Sequence, residues 1–167
     1  SDILHRMSTN VDLRQAIRQA DLISLTAGGN DLLGAAREFL LNRDPQVLKA
    51  ALRLFTINIR RIFESIGHIR SASGGDGNKP LVMRILNLYN PFPIIEETEY
   101  WIERFNREWL PYETPYVRVV HVYEAFQYRT DDLIGEDMVH PNALGYRTMA
   151  EAAHALGYAG LEDETKA

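Results

Sequence analysis

Asp21-Leu22-Ile23-Ser24-Leu25-Thr26-Ala27-Gly28-Gly29-Asn30-Asp31 is the stretch on which the fold of this chain turns. Leu22 to Thr26 is short, apolar and β-prone, which predicts a buried strand. The strand enters a two-glycine turn, and the apolar spacing from Leu32 to Leu41 predicts a helix directly after it. A strand passing through a tight turn into a helix is the building unit of a parallel α/β sheet. Open sheets of this kind collect their ligands at the C-terminal ends of the strands, where the Gly-Gly-Asn-Asp turn would lie. Upstream, Val11, Ala16, Ile17 and Ala20 recur at helical spacing, with Asn10 or Asp12 available as a cap.

Working outward, residues 45 to about 70 carry apolar side chains at three- and four-residue steps, including Leu48, Leu52, Phe55, Ile59, Ile62 and Ile66. That pattern predicts one long amphipathic helix covering a sheet face. Residues 71–78 are serine- and glycine-rich and read as a flexible connector. A second strand follows over Leu81 to Tyr89, closed by Asn90-Pro91-Phe92-Pro93. Thr98 to Leu110 reads as a helix whose Trp101, Phe105 and Trp109 form a core-facing stripe. Tyr116 to Val122 is a third strand, with a shorter helical stretch near Tyr123 to Tyr128. Asn142 to Leu156 is a last helix, stopped by Gly157. Strands alternating with helices predict a parallel sheet covered on both faces. The expected organisation is one domain over residues 1–160 and an acidic tail over 161–167.

Composition narrows the function. The chain has 167 residues, 46% apolar and 25% charged, ordinary for a globular protein with one substantial core. No apolar run approaches the roughly 20 residues of a membrane span. A net charge of −5 argues against a nucleic-acid partner, which needs a concentrated basic face. Zero cysteines remove disulfides, thiolate metal sites and thiol nucleophiles together. Cytoplasmic, secreted and cell-surface locations all stay open.

Two segments carry chemistry. In Gly28-Gly29-Asn30-Asp31 the glycines permit a sharp turn, and Asn30 can aim a carboxamide NH2 donor at a developing oxyanion. The same residues also suit a plain turn that caps the next helix. In Asp137-Met138-Val139-His140 the three-residue gap lets the carboxylate fold back onto the imidazole, fixing its tautomer and stabilising the imidazolium. A histidine so held suits general-base work near neutral pH. The alternative is a histidine that caps the final helix beside an aspartate turn.

Taken together and in this order, the two blocks resemble the SGNH hydrolase family, also called GDSL lipases or esterases. That family is marked by a Gly-Asp-Ser block, a glycine, a Gly-x-Asn-Asp block and an Asp-x-x-His block. Gly28 to Asp31 matches the third and Asp137 to His140 the fourth. The resemblance covers residues 1 to about 157 and implies a flavodoxin-like three-layer α/β/α sandwich with a parallel sheet, its first strand absent from this chain. It implies serine ester hydrolysis of a small-molecule or lipid-like acyl ester, with no metal and no cofactor. By position, Asn30 would donate to the oxyanion, His140 would be the general base and acid, and Asp137 would orient it. Gly28 and Gly29 would shape the turn, and Asp31 would be structural.

The first two family blocks do not occur in these residues. Ser24 falls in a strand, Ser65 in a helix, Ser71 and Ser73 in the connector, and Ser1 and Ser8 follow no strand. None sits on the strand-to-helix elbow that exposes a nucleophile. The expected nucleophile therefore belongs to a further N-terminal segment, a partner for this chain, and the strands beside that segment should have unpaired edges. A non-catalytic α/β binding module is the rival reading. Dinucleotide binding is disfavoured because Gly28-Gly29-Asn30 lacks the Gly-x-Gly-x-x-Gly spacing. His68 and His154 lie on helices without acidic partners at ligand spacing, and His121 is expected to be packed, so no metal site is expected.

Overall fold

Three short strands pair in parallel, β1 (Leu22–Thr26), β2 (Val82–Leu86) and β3 (Val117–Val120), in the order β1-β2-β3. Leu22 lies opposite Val82 and Met83 opposite Val117, so the side-chain alternation of each strand is in phase with its neighbour's. The computed structural model describes residues 2–72, 81–159 and 161. Around the sheet run α1 (Asp2–Thr9), α2 (Val11–Gln19), α3 (Gly29–Asn42), α4 (Gln46–Ser71) and α5 (Glu96–Arg107). These are followed by α6 (Val122–Phe126), α7 (Thr130–Leu133) and α8 (Ala143–Ala155).

The two faces have different cores. Leu25, Met83, Ile85 and Val119 point into a cluster with Phe55, Ile59 and Ile62 of α4 and with Phe105 and Trp109 at the end of α5. Val120 points to the opposite face, into a smaller cluster with Val122, Phe126 and Leu133, against which Leu86 and Met149 pack. The crossovers after β1 and β2 step in the same direction, and right-handed connections then require α4 and α5 to share a face. The helix after β3 is left to cover the other. Its cover reaches β2 and β3. The long helix owes its length to an uninterrupted stripe, with Leu48, Phe55, Ile59, Ile62, Ile66 and Ile69 all buried.

β1 departs from the expectation of a buried strand. It lies at an edge of the sheet, and while Leu25 is buried, Ser24 and Thr26 are exposed. Parallel strands are normally covered on both faces; among the described residues β1 has one face exposed and no strand along its outer edge. β2, the central strand, is buried at four of its five positions, including Arg84 at 2% exposure. The guanidinium donates to the carbonyls of Met83 at 2.9 Å, Tyr116 at 3.4 Å and Gly157, tying the end of α8 to the sheet. Burial, followed by the neighbouring Arg118, lowers its pKa.

Element ends differ from expectation by a few residues. β2 stops at Leu86, three residues before Tyr89, because Asn87 turns its side chain to accept from the Tyr123 amide at 2.9 Å. α5 ends at Arg107 and the chain tightens into a 3₁₀ turn at Leu110–Tyr112, where Pro111 cannot extend an α-helical ladder. α1 and the four-residue α7 were not among the expected helices. Asn10 rather than Asp12 caps α2, accepting from the Leu13 amide at 2.9 Å. Connector residues 73–78 and tail residues 162–167 lie outside the described residues.

Phe55 joins the layers: its ring stacks on Phe105 at 4.8 Å and meets Trp109 edge-on at 5.4 Å. Phe55→Ala should lower the free energy of unfolding by about 3–5 kcal/mol, the range for a buried phenylalanine with incomplete collapse of the cavity. Urea denaturation followed by circular dichroism measures it, and a loss below about 1 kcal/mol would contradict this packing.

Candidate active site

The turn after β1 begins with Gly28 at φ 98°, ψ −24°, a left-handed conformation that disfavours side chains. A Cβ there would also come within 2.6 Å of the Phe55 ring. Gly28 is itself the N-cap of α3, its carbonyl accepting from the Leu32 amide at 2.9 Å, and no side chain caps this helix. Asn30 is therefore not used as a cap. It stands exposed in the first turn of α3, its carboxamide without a protein hydrogen bond among the described residues. It opens, with Asp31, onto a shallow groove between α3 and α4 lined by Gly34, Ala50 and Leu54. The unpaired amides of the helix N-terminus add positive potential beside it. Gly29 follows Gly28 directly and opens the helix.

In the connection between α7 and α8, Asp137 and His140 meet. The Asp137 Oδ2 to His140 Nδ1 distance is 2.6 Å. Asp137 Oδ1 accepts from the amides of Val139 at 3.0 Å and His140 at 2.8 Å, a turn that Met138 completes at φ 60°. The His140 amide, then the imidazole, then the Val139 amide hold the Asp137 pKa down to about 2. An ionised carboxylate only accepts, so Nδ1 carries the shared proton and Nε2 of the neutral ring is left as an acceptor. Both side chains are more than half exposed.

The segment bearing this pair is held from four directions. The Gly135 amide donates to the His140 carbonyl at 2.7 Å, and Ile134 and Pro141 form an antiparallel bridge. Asn142 caps α8, accepting from the Gly145 amide at 3.0 Å, while its NH2 donates to the Asp132 carbonyl at 2.8 Å. The helix is thus capped by Asn142 rather than by His140. Gly145 leaves no room for a Cβ against the Leu133 carbonyl and Pro141. Finally, the Tyr89 hydroxyl donates to the Val139 carbonyl at 2.8 Å, with its ring stacked on Phe126 at 4.7 Å. Burial, then Tyr146 and Asp137, push the Tyr89 pKa up to about 12, so the phenol remains a donor at neutral pH. The sequence marks Tyr89 only as the end of a strand and does not show this anchoring. Its only signal was an aromatic three residues past a strand end. His121, expected to be packed, is exposed and 3.5 Å from Glu124.

The described serines other than Ser24 lie in helices, Ser8 in α1, Ser65 and Ser71 in α4, and Ser24 lies within β1 rather than at its C-terminal end. Among the described residues no group of three or more His, Cys, Asp or Glu side chains is placed to hold a metal ion.

The family model described as GDSL-like lipase/acylhydrolase matches residues 2–153. The chain belongs to this family. It is 34% identical over 163 residues to the spore germination lipase LipC of Bacillus licheniformis, an alignment covering 97% of this chain and 74% of that protein. It is 23% identical over 172 residues to the uncharacterized protein YpmR of Bacillus subtilis, covering 98% and 64% respectively. The crystal structure of the lipase Lip_vut3 from a goat rumen metagenome matches with a TM-score of 0.87 at 33% identity, over 95% of this chain and 74% of that one. The α/β fold and the hydrolase family are thus established together.

A carboxylate whose pKa is depressed in the folded state contributes stability above its unfolded value, and that contribution is lost as pH falls through the folded one. For Asp137 the window runs from its ordinary value of 3.8 down to about 2. A carboxyl-carbon NMR titration should therefore place Asp137 near the lower limit, and His140→Ala should move it upward. A midpoint near the ordinary value in the unaltered protein would show that the pair does not form in solution.

Proposed function

We propose that this chain forms the larger part of a carboxylic-ester hydrolase acting on small or lipid-like acyl esters. The observation that carries the reading is the 2.6 Å contact of Asp137 with His140 Nδ1, which leaves Nε2 free to take a proton. In this reading a serine hydroxyl attacks the ester carbonyl while His140 accepts its proton and Asp137 stabilises the imidazolium. The Asn30 carboxamide donates to the oxyanion of the tetrahedral state, where charge first develops. Collapse expels the alcohol, protonated by His140, and leaves an acyl-enzyme. His140 then activates water to release the acid.

The serine is assigned to a segment outside these residues. Two features support this: no described serine stands at the C-terminal end of a strand, and among the described residues β1 has no strand along its outer edge. A strand added along β1 would end beside Gly28 and bring a residue at its tip toward Asn30. The names of the two lipases matched at 34% and 33% identity favour acyl esters as the substrate class. The Asn30 groove, partly lined by Ala35, Ala51 and Leu54, offers an apolar surface for an acyl group.

A fluorophosphonate probe tests the assignment, with every chain weighed by denaturing mass spectrometry. The 167-residue chain should stay unlabelled by itself. When produced together with the preceding segment of its own natural protein, the adduct should fall on a serine of that segment. An adduct on a serine of this chain would overturn the assignment. In the complete protein, His140→Ala should lower kcat on the order of 10²- to 10⁴-fold against a short-chain nitrophenyl ester. Unchanged turnover would remove His140 from the chemistry and leave a binding module.

A further inference from the structure

A second cavity lies between the loop after β2, the start of α5, and α6 and α7. Its volume is about 340 Å³, within the usual range of small-ligand sites. Phe126, 1% exposed, contributes to its wall, with Tyr123 and Tyr128 beside it. Two carboxylates, Glu99 and Asp131, line the same space, and among the described residues no lysine or arginine does. Tyr123 donates its hydroxyl to Glu99 Oε1 at 2.9 Å, which fixes that carboxylate. Burial and Glu99 push the Tyr123 pKa up to about 12.

Two further features set this cavity apart from an ordinary surface dent. Tyr128 adopts φ 64° and is 95% exposed, so its ring is displayed at the rim from a backbone conformation that costs free energy and without compensating burial. Asn90, nine-tenths buried, also lines the cavity. Its carbonyl oxygen accepts from the Phe92 amide at 2.9 Å and the Thr98 hydroxyl at 3.1 Å. Its NH2 has no hydrogen-bond partner among the described residues, which leaves a donor for a ligand acceptor.

We propose that this cavity binds a quaternary ammonium group that carries a nearby oxygen, as in choline and the phosphocholine head of a lipid. The aromatic side chains suit the methyl groups and the diffuse charge of such a cation. Glu99 and Asp131 supply its counter-charge, and the Asn90 NH2 meets the oxygen. A hard divalent cation is disfavoured, because it needs about six oxygen ligands and among the described residues only two carboxylates line this space. Binding is read without turnover, so it stands or falls independently of ester hydrolysis.

The test is titration of the isotopically labelled protein with choline, followed by amide NMR, beside the uncharged isostere 3,3-dimethylbutan-1-ol. Choline should give saturable shifts centred on Tyr123, Gln127, Tyr128 and Asp131, and the neutral isostere should bind at least about tenfold more weakly. The Glu99→Gln, Asp131→Asn double variant and Tyr128→Ala should each weaken choline by about three- to tenfold, with melting temperatures unchanged. Sedimentation with phosphatidylcholine and phosphatidylglycerol vesicles separates the two sources. Preferential pelleting with phosphatidylcholine assigns the lipid head, and choline binding without pelleting assigns a free small molecule. Equal binding of choline and its isostere, shifts centred elsewhere, or no saturable shift with choline would overturn the proposal.

Discussion

The edge of the Phe55 ring fills the space that a side chain at position 28 would need, and much of the structure follows from that contact. Because residue 28 has no side chain, α4 can lie close against the end of β1. Because the ring is also held by Phe105 and Trp109, the turn after β1 is referenced to the main core rather than to a mobile loop. Asn30 inherits its position from this chain of contacts. In the proposed mechanism Asn30 meets a transient charge, and a group with that task needs such a rigid mount.

The Asp137 to His140 segment is mounted differently. It lies in an irregular connection between α7 and α8, where local hydrogen bonds shape the turn and two outside groups locate it. Asn142 ties it to α8 and Tyr89 ties it to the exit of β2. The two candidate segments are thus anchored to different cores on opposite faces of the sheet.

Much of this was legible in the residues. The strand over Leu22–Thr26 and the long helix were read closely because apolar periodicity over a whole element survives small errors at its ends. The Asp137 and His140 pairing was also readable, since a contact between residues three apart depends on local turn geometry. α7 was not readable, because four residues are too few to carry a period. The exposure of His121 was missed because β3 ends at Val120, two residues earlier than its apolar run suggested.

The amino-acid sequence by itself determined the α/β class, the order of the main elements, the turn that Gly28 permits and the local dyad, since each rests on periodicity or on neighbours in the chain. The tertiary structure alone decided what links residues far apart. It placed β1 at an edge of the sheet, set Phe55 against Gly28, brought Tyr89 to Val139 across 50 positions, and assembled the aromatic and acidic cavity from the loop after β2 and three helices. The physical reason is that such contacts are selected by the packing of whole layers. No short stretch of sequence carries the shape of the surface it will meet.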